Sequence, residues 1–224
     1  MTSSPSPPPA RATYRHGDLR RALLAAALDM AREGGPGAIG LREVTRRAGV
    51  VPNAAYRHFT SLTELLNAVR AEALAAVAHA MEQELAALEP PGARTRPSSA
   101  AGVAHARSRL RAIGRGYLKY ARSEPGLFRT AFLRPNEPMP VPDGDPAAAG
   151  PGGLNPFELL TSALDGLTES GVLPESRRPH AEFFAWSAVH GLALLMIDGP
   201  LQAAGHDQAE ALGERLLDMV ERGL

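Results

Sequence analysis

The chain has no cysteine. That absence removes disulfides, thiolate nucleophiles and cysteine-ligated zinc from its chemistry, and it fits a reducing compartment. Long apolar runs are missing as well. The most apolar stretch, 183–197, falls short of the roughly 20 residues that a membrane span needs, so no membrane partner is expected and the expected location is cytoplasmic. No stretch combines strict alternation of polar and apolar residues with β-branched enrichment, which leaves an all-α reading. The catalytic patterns G-x-S-x-G, the P-loop, the dinucleotide glycine fingerprint and H-E-x-x-H are absent too. His190 and Asp198 are eight residues apart, about two helical turns, too far for a direct dyad on a straight helix. No catalytic residue, cofactor or metal is therefore expected, and an enzyme is the weaker reading.

What is present begins with an uneven charge. The formal net charge is zero. Yet residues 11–75 hold ten arginines against six acids, an excess of four positive charges that the remainder balances. A basic end on an acidic body is the asymmetry expected of a chain that grips an anion at one end. With 44% hydrophobic residues the chain can also bury a substantial core.

Along the chain, residues 1–13 read as a disordered, proline-rich tail. Leu19, Leu23, Ala26, Ala27, Met30 and Ala31 recur at helical spacing, and Gly34-Gly35-Pro36-Gly37 ends that helix. A short helix over 41–48 stops at Gly49. Pro52 then suits the first turn of another, where its missing N–H costs nothing, and that helix is expected to end near Phe59. Ser61-Leu62-Thr63-Glu64 is a capping-box pattern opening a helix to about Leu88. Further helices are expected at about 105–123, 157–170, 176–197 and 207–222. Residues 134–156 hold seven prolines and four glycines and read as a mobile loop without structure of its own. No internal repeat is evident.

Two short helices joined at a glycine and preceded by a packing helix match the plan of a helix-turn-helix. Ala48, Ala55 and Phe59 can face inward, leaving Asn53, Tyr56 and Arg57 outward. Arginine bonds bidentately to guanine and asparagine to adenine. Tyr56 and His58 can hold phosphate oxygens, and the helix start at Ser61 offers free N–H groups to another phosphate.

Ala48-Gly49-Val50, Tyr56-Arg57-His58-Phe59 and Glu64-x-Leu66 resemble, in order and spacing, the N-terminal motif of the TetR family of transcriptional regulators. The lead-in Tyr14-Arg15-His16-Gly17-Asp18-Leu19-Arg20 is similar to one branch of it, and Trp186-x-x-x-His190-Gly191 resembles a C-terminal element of such a branch. The resemblance implies a three-helix DNA-binding domain at 14–62. It implies a helical regulatory and dimerisation domain at 63–224, with DNA contacts drawn from Arg42, Pro52, Asn53, Ala54, Tyr56, Arg57, His58 and Ser61. It further implies a homodimer joined through the last two helices, about 176–222, and a palindromic operator released by a small-molecule effector. Tyr117, Phe128, Phe132, Trp186 and His190 are the candidate pocket residues, although aromatic residues at helical spacing and a lone histidine on an apolar face are also ordinary core features.

Departures from the family pattern are informative. Val51 stands where a capping Ser or Thr is usual, and a missing cap costs about 1 kcal/mol, so the reading helix is expected to firm fully only on DNA. Asn53 and Ala54 replace a glycine and a threonine. Ala55 replaces a leucine. Leu62 replaces a lysine that would touch phosphate.

Overall fold

The computed structural model describes residues 16–132 and 145–224. The tail expected at 1–13 and the 134–144 part of the expected loop lie outside them. Among the described residues every regular element is helical: α1 (His16–Gly34), α2 (Leu41–Arg47), α3 (Pro52–Ala55), α4 (Leu62–Ala86), α5 (Ala100–Ser123), α6 (Pro125–Phe132), α7 (Pro156–Glu169), α8 (Ala181–Ile197) and α9 (His206–Gly223), with three short 3-10 turns. No helix among them is long and apolar enough to cross a membrane.

The N-terminal unit closes over a small core in which Leu23, Ala27, Val44, Ala55, Phe59 and Leu65 are fully buried. Gly49 makes its turn possible. It sits at φ 70°, a conformation that a residue with a Cβ adopts only at a cost, and Val50 N–H then returns to the Thr45 carbonyl at 3.0 Å.

Helix α4 has 25 residues and is therefore about 37 Å long at 1.5 Å per residue. It starts in the N-terminal unit, where Leu65 and Val69 are buried, and its later turns pack on α5, α6 and α7. The α4–α5 crossing is close because of Gly116: a Cβ there would lie 2.6 Å from Ala80 O and Met81 Cα. Helix α6 is a wedge between the two halves. Gly126 lets its backbone rest against the carbonyls of Ala31 and Arg32 at the end of α1, while Phe128 is fully buried on its other side. The Arg129 guanidinium donates to Asp198 at 2.9 Å and to the Ile197 carbonyl at 3.2 Å, fixing α6 to the end of α8. Sequence periodicity did not yield α6, because it is 8 residues long and begins Pro-Gly.

Helices α5 and α9 are joined by charge. Arg107 and Arg111 both donate to Glu221, whose side chain is nearly buried, and Arg111 reaches Asp218 and Arg115 reaches Glu214.

Three expectations are corrected in detail. α3 ends at Ala55, not Phe59, as the chain tightens into a turn in which His58 N–H bonds three residues back to the Ala55 carbonyl at 2.8 Å. The described part of the expected loop has structure of its own: a 3-10 turn at Pro146–Ala148 and a glycine turn that seats Gly152 N–H on the Glu82 carboxylate of α4 at 3.0 Å. α8, whose apolar residues fall nearly all round the helix and so call for cover on several sides, leaves Phe183, Phe184, Leu194 and Leu195 exposed in the single chain, Phe184 at 70%.

Candidate nucleic-acid interface and ligand cavity

With Val44, Ala55 and Phe59 turned into the core, the opposite side of α2 and α3 faces out. Arg42, Pro52, Asn53, Tyr56, Arg57 and Ser61 are exposed, Tyr56 at 53%, whereas Ala54 and His58 are half-buried. Pro52 occupies the first turn of α3, and its N-cap residue Val51 makes no side-chain cap bond, so the reading helix has a fixed start but an unassisted one.

The basic surplus is partly consumed within the unit. Arg47 makes two hydrogen bonds to Glu33 of α1, at 2.8 and 2.7 Å, and Arg46 binds Glu43 at 2.8 Å. The Arg46 hydrogen bond, with help from Arg47, holds the Glu43 carboxyl down at about 2. Arg32 is engaged with Asp29 and Glu124. By contrast, the guanidiniums of Arg42 and Arg57 have no ion pair among the described residues, which leaves both charges available to an anion.

At the start of α4, Ser61 Oγ accepts from Glu64 N–H at 3.1 Å. The reciprocal half of the capping box is shifted by one residue: the Glu64 carboxylate accepts from the Thr60 N–H and hydroxyl at 2.6 and 2.8 Å, and these bonds lower its pKa. Ser61 keeps its hydroxyl proton as a donor.

The five candidate pocket residues, scattered over 74 positions of sequence, meet around one point of the body. Trp186 Nε1–H donates to Tyr117 Oη at 3.1 Å, and Tyr117 Oη lies 2.7 Å from His190 Nδ1. The His190 ring stacks on Phe128 at 5.7 Å and meets Phe132 edge-on at 5.1 Å. Tyr117, Phe132, Trp186 and His190 line a cavity of about 900 Å³, with Phe128 packed behind the histidine. Burial pushes the Tyr117 phenol well above its ordinary range and pulls the His190 imidazolium below its own, so both groups are neutral in the body. Sequence reasoning missed Phe157, which meets Trp186 edge-on at 6.3 Å. Its placement was signalled by Asn155-Pro156-Phe157-Glu158: Asn155 caps α7 and Glu158 returns the bond in a complete capping box.

A family model for bacterial regulatory proteins of the tetR family matches residues 23–69, and one for a tetracyclin repressor-like C-terminal domain matches residues 110–220. Together they cover well over half of the chain. No curated protein matches it. Among solved structures, one of a protein with unknown function from Rhodococcus sp. RHA1 has a TM-score of 0.71 at 23% identity, over 96% of this chain and 99% of that one. The transcriptional regulator FadR from Bacillus subtilis, in complex with stearoyl-CoA, has a TM-score of 0.63 at 14% identity, over 91% and 98%. The TetR family transcriptional regulator PfmR from Thermus thermophilus has a TM-score of 0.54 at 20% identity, over 90% and 98%. At these identities the likeness is one of fold.

Proposed function

The chain belongs to the TetR family of transcriptional regulators, with a DNA-binding N-terminal domain and a ligand-binding C-terminal domain, and from that premise we propose that it is a homodimeric repressor released from a palindromic operator by a small ligand. Residues 14–62 form the DNA-binding unit in this reading, and 63–224 the regulatory and dimerisation unit. The observation that carries it is the course of α4, which caps the DNA-facing unit at Ser61 and supplies cavity wall from Asn67 to Met81. One stiff element thus touches both sites.

At the operator, Arg57 and Asn53 read base edges in the major groove. Tyr56, His58, Ser61 and Arg42 hold phosphates, and Pro52 and Ala54 sit against the groove wall. The dimer forms through α8 and α9. Phe183, Phe184, Leu194 and Leu195 on α8 and Met219 on α9 supply an exposed apolar face, Met219 at 62%. A Cβ built at Gly191 would meet nothing within 4 Å beyond its own helix among the described residues, so a second backbone can approach there. Two-fold symmetry in the protein then calls for two-fold symmetry in the DNA.

Release requires that ligand bind the two half-site spacings unequally, and a 100-fold loss of DNA affinity needs about 2.7 kcal/mol of such coupling. The ligand-bound fold neighbour, FadR with stearoyl-CoA, supports a cavity that admits a long acyl chain. Selection of genomic fragments by the purified protein, followed by anisotropy titration of the selected site over a salt series, tests the reading. Palindromic sites bound with a steep salt dependence are expected. Absence of binding at low salt overturns it.

A further inference from the structure

Besides Asn67, Arg70, Arg111, Asp145 and Asn155, the cavity lining has one polar corner whose hydrogen bonding is fixed by its own members. The indole of Trp186 is a donor only, so Tyr117 Oη accepts from it at 3.1 Å. The phenol proton must then find an acceptor, and the acceptor at hand is His190 Nδ1, at 2.7 Å. An imidazole that accepts at Nδ1 and is neutral carries its proton on Nε2. His190 is half-buried, lines the cavity, and has no further hydrogen-bond partner among the described residues. The relay therefore ends in one unspent N–H donor within an aromatic surround of Phe132, Phe128 and Trp186.

We infer that the His190 corner of the cavity selects an uncharged, largely apolar ligand bearing an acceptor oxygen, a ketone or ester carbonyl, that takes the Nε2–H of His190. The inference rests on the reading of this cavity as the effector site. A ligand cation is disfavoured here because it would face a donor. At this corner a ligand carboxylate would be stripped of water beside a neutral ring; the arginines on the lining, Arg70 and Arg111, stand on α4 and α5 outside the relay, and Arg111 is already bound to Glu221 and Asp218. Shape agrees with a long molecule. The α4 residues on the wall, from Asn67 to Met81, span about 21 Å of helix axis, and about 900 Å³ is room for a ligand of ordinary drug size or slightly more.

Trp186 is the chain's one tryptophan, so its fluorescence reports the corner directly. Decan-2-one, decanoate and decylammonium, titrated into the full-length protein at neutral pH, share a chain and differ in head group. The ketone is expected to perturb Trp186 at the lowest concentration. Its affinity should fall about 10-fold in His190→Phe, the equivalent of one lost hydrogen bond at the upper end of the usual range. NMR of labelled histidine is expected to show the Nε2–H tautomer of His190 in the unliganded protein, and loss of that fixed tautomer in Tyr117→Phe, which keeps the ring and removes the relay. Tighter binding of either charged probe, no response to any of the three, or an Nδ1–H tautomer in the wild-type protein overturns the inference. The two readings also fail separately. Ketone binding through His190 that leaves the operator complex intact sinks the effector reading alone. Operator release by a ligand indifferent to His190→Phe sinks the inference alone.

Discussion

The N-terminal unit and the body are held together by ion pairs of different reach. In the first, the pairs are short-range and exposed: Arg32 with Asp29, Arg46 and Arg47 with Glu43, and at most 14 positions apart, Arg47 with Glu33. The body has short-range pairs too, such as Arg178 with Glu182, but those that join α5 to α9 cross 99 to 114 positions, from Arg107, Arg111 and Arg115 to Glu214, Asp218 and Glu221, and the Glu221 side chain is only 5% exposed. The polar corner of the cavity likewise joins residues 73 positions apart. A DNA reader needs a small rigid scaffold with free charges on its outer side. A ligand cavity must be closed by elements brought from far along the chain.

The largest expected difference concerns tolerance at glycine. Gly116→Val places side-chain atoms where α4 backbone already lies. Overpacking of this kind costs about 3 kcal/mol, and the α4–α5 crossing has no flexible side chain to yield. Gly49→Ala meets open space at φ +70° and pays only the left-handed strain, about 1 kcal/mol. Urea melts of the two variants check this; equal losses would contradict the claim that the body, and not the turn, is the close-packed part.

On DNA the order reverses. Arg57→Ala is expected to cost about 2 kcal/mol of operator affinity and to relax preference at one or two base positions, while leaving the urea midpoint nearly unchanged, because the side chain is exposed and has no ion pair among the described residues. Anisotropy with a set of single-base operator variants measures both. An unchanged preference would remove Arg57 from the base-reading set.

Acid should separate the regions as well. Burial lowers the His190 pKa, so the folded body resists its protonation. Stability is then full above the unfolded value of about 6.5 and declines as pH falls below it, because the unfolded chain takes up that proton first. In the N-terminal unit Glu33, Glu43 and Glu64 are held low by hydrogen bonds from Arg47, Arg46 and Thr60. Their contribution is present above the unfolded carboxylate value of about 4.3 and is lost below it. Melting temperatures over a pH series are expected to show a first decline between neutrality and mild acid that disappears in His190→Phe. The later, carboxylate decline should survive that substitution.

The same contrast explains what could be read from sequence. Gly49, Pro52, Ala55 and Phe59 act on neighbours within a few positions, so their periodicity and turn chemistry disclosed the helix-turn-helix directly. The one-residue shift of Glu64 onto Thr60 was beyond such reading, since a carboxylate can reach either donor. Tyr117 and His190 could be named as aromatic and polar residues on apolar helices. Their mutual hydrogen bond could not, because it depends on how α5 and α8 cross. Nor could α6, whose Pro-Gly start looks like a break and whose place depends on Gly126 meeting the end of α1. The exposure of Phe184 on α8 was hidden for a related reason: a helix apolar on all sides reads the same whether its own chain or a second one covers it.

The smallest expected effect tests the bare start of the reading helix. Val51 is exposed, has extended backbone at φ −76° and ψ 147°, and offers no atom to the N–H groups of α3. Val51→Ser supplies an oxygen in the geometry of a cap, worth about 1 kcal/mol where the cap is fully formed. α3 is only 4 residues long and begins with a proline, so few of its N–H groups are left to satisfy and the gain should lie at or below that figure. Most of it should appear as a better ordered α3 in the free protein. Operator affinity is then expected to rise by at most about 5-fold, since 1.4 kcal/mol is tenfold, with base preference unchanged because no base-reading side chain is altered. Backbone hydrogen exchange across 52–58 should slow in the free variant and match the original protein on DNA. Slower exchange without tighter binding would mean that ordering α3 carries no part of the binding cost.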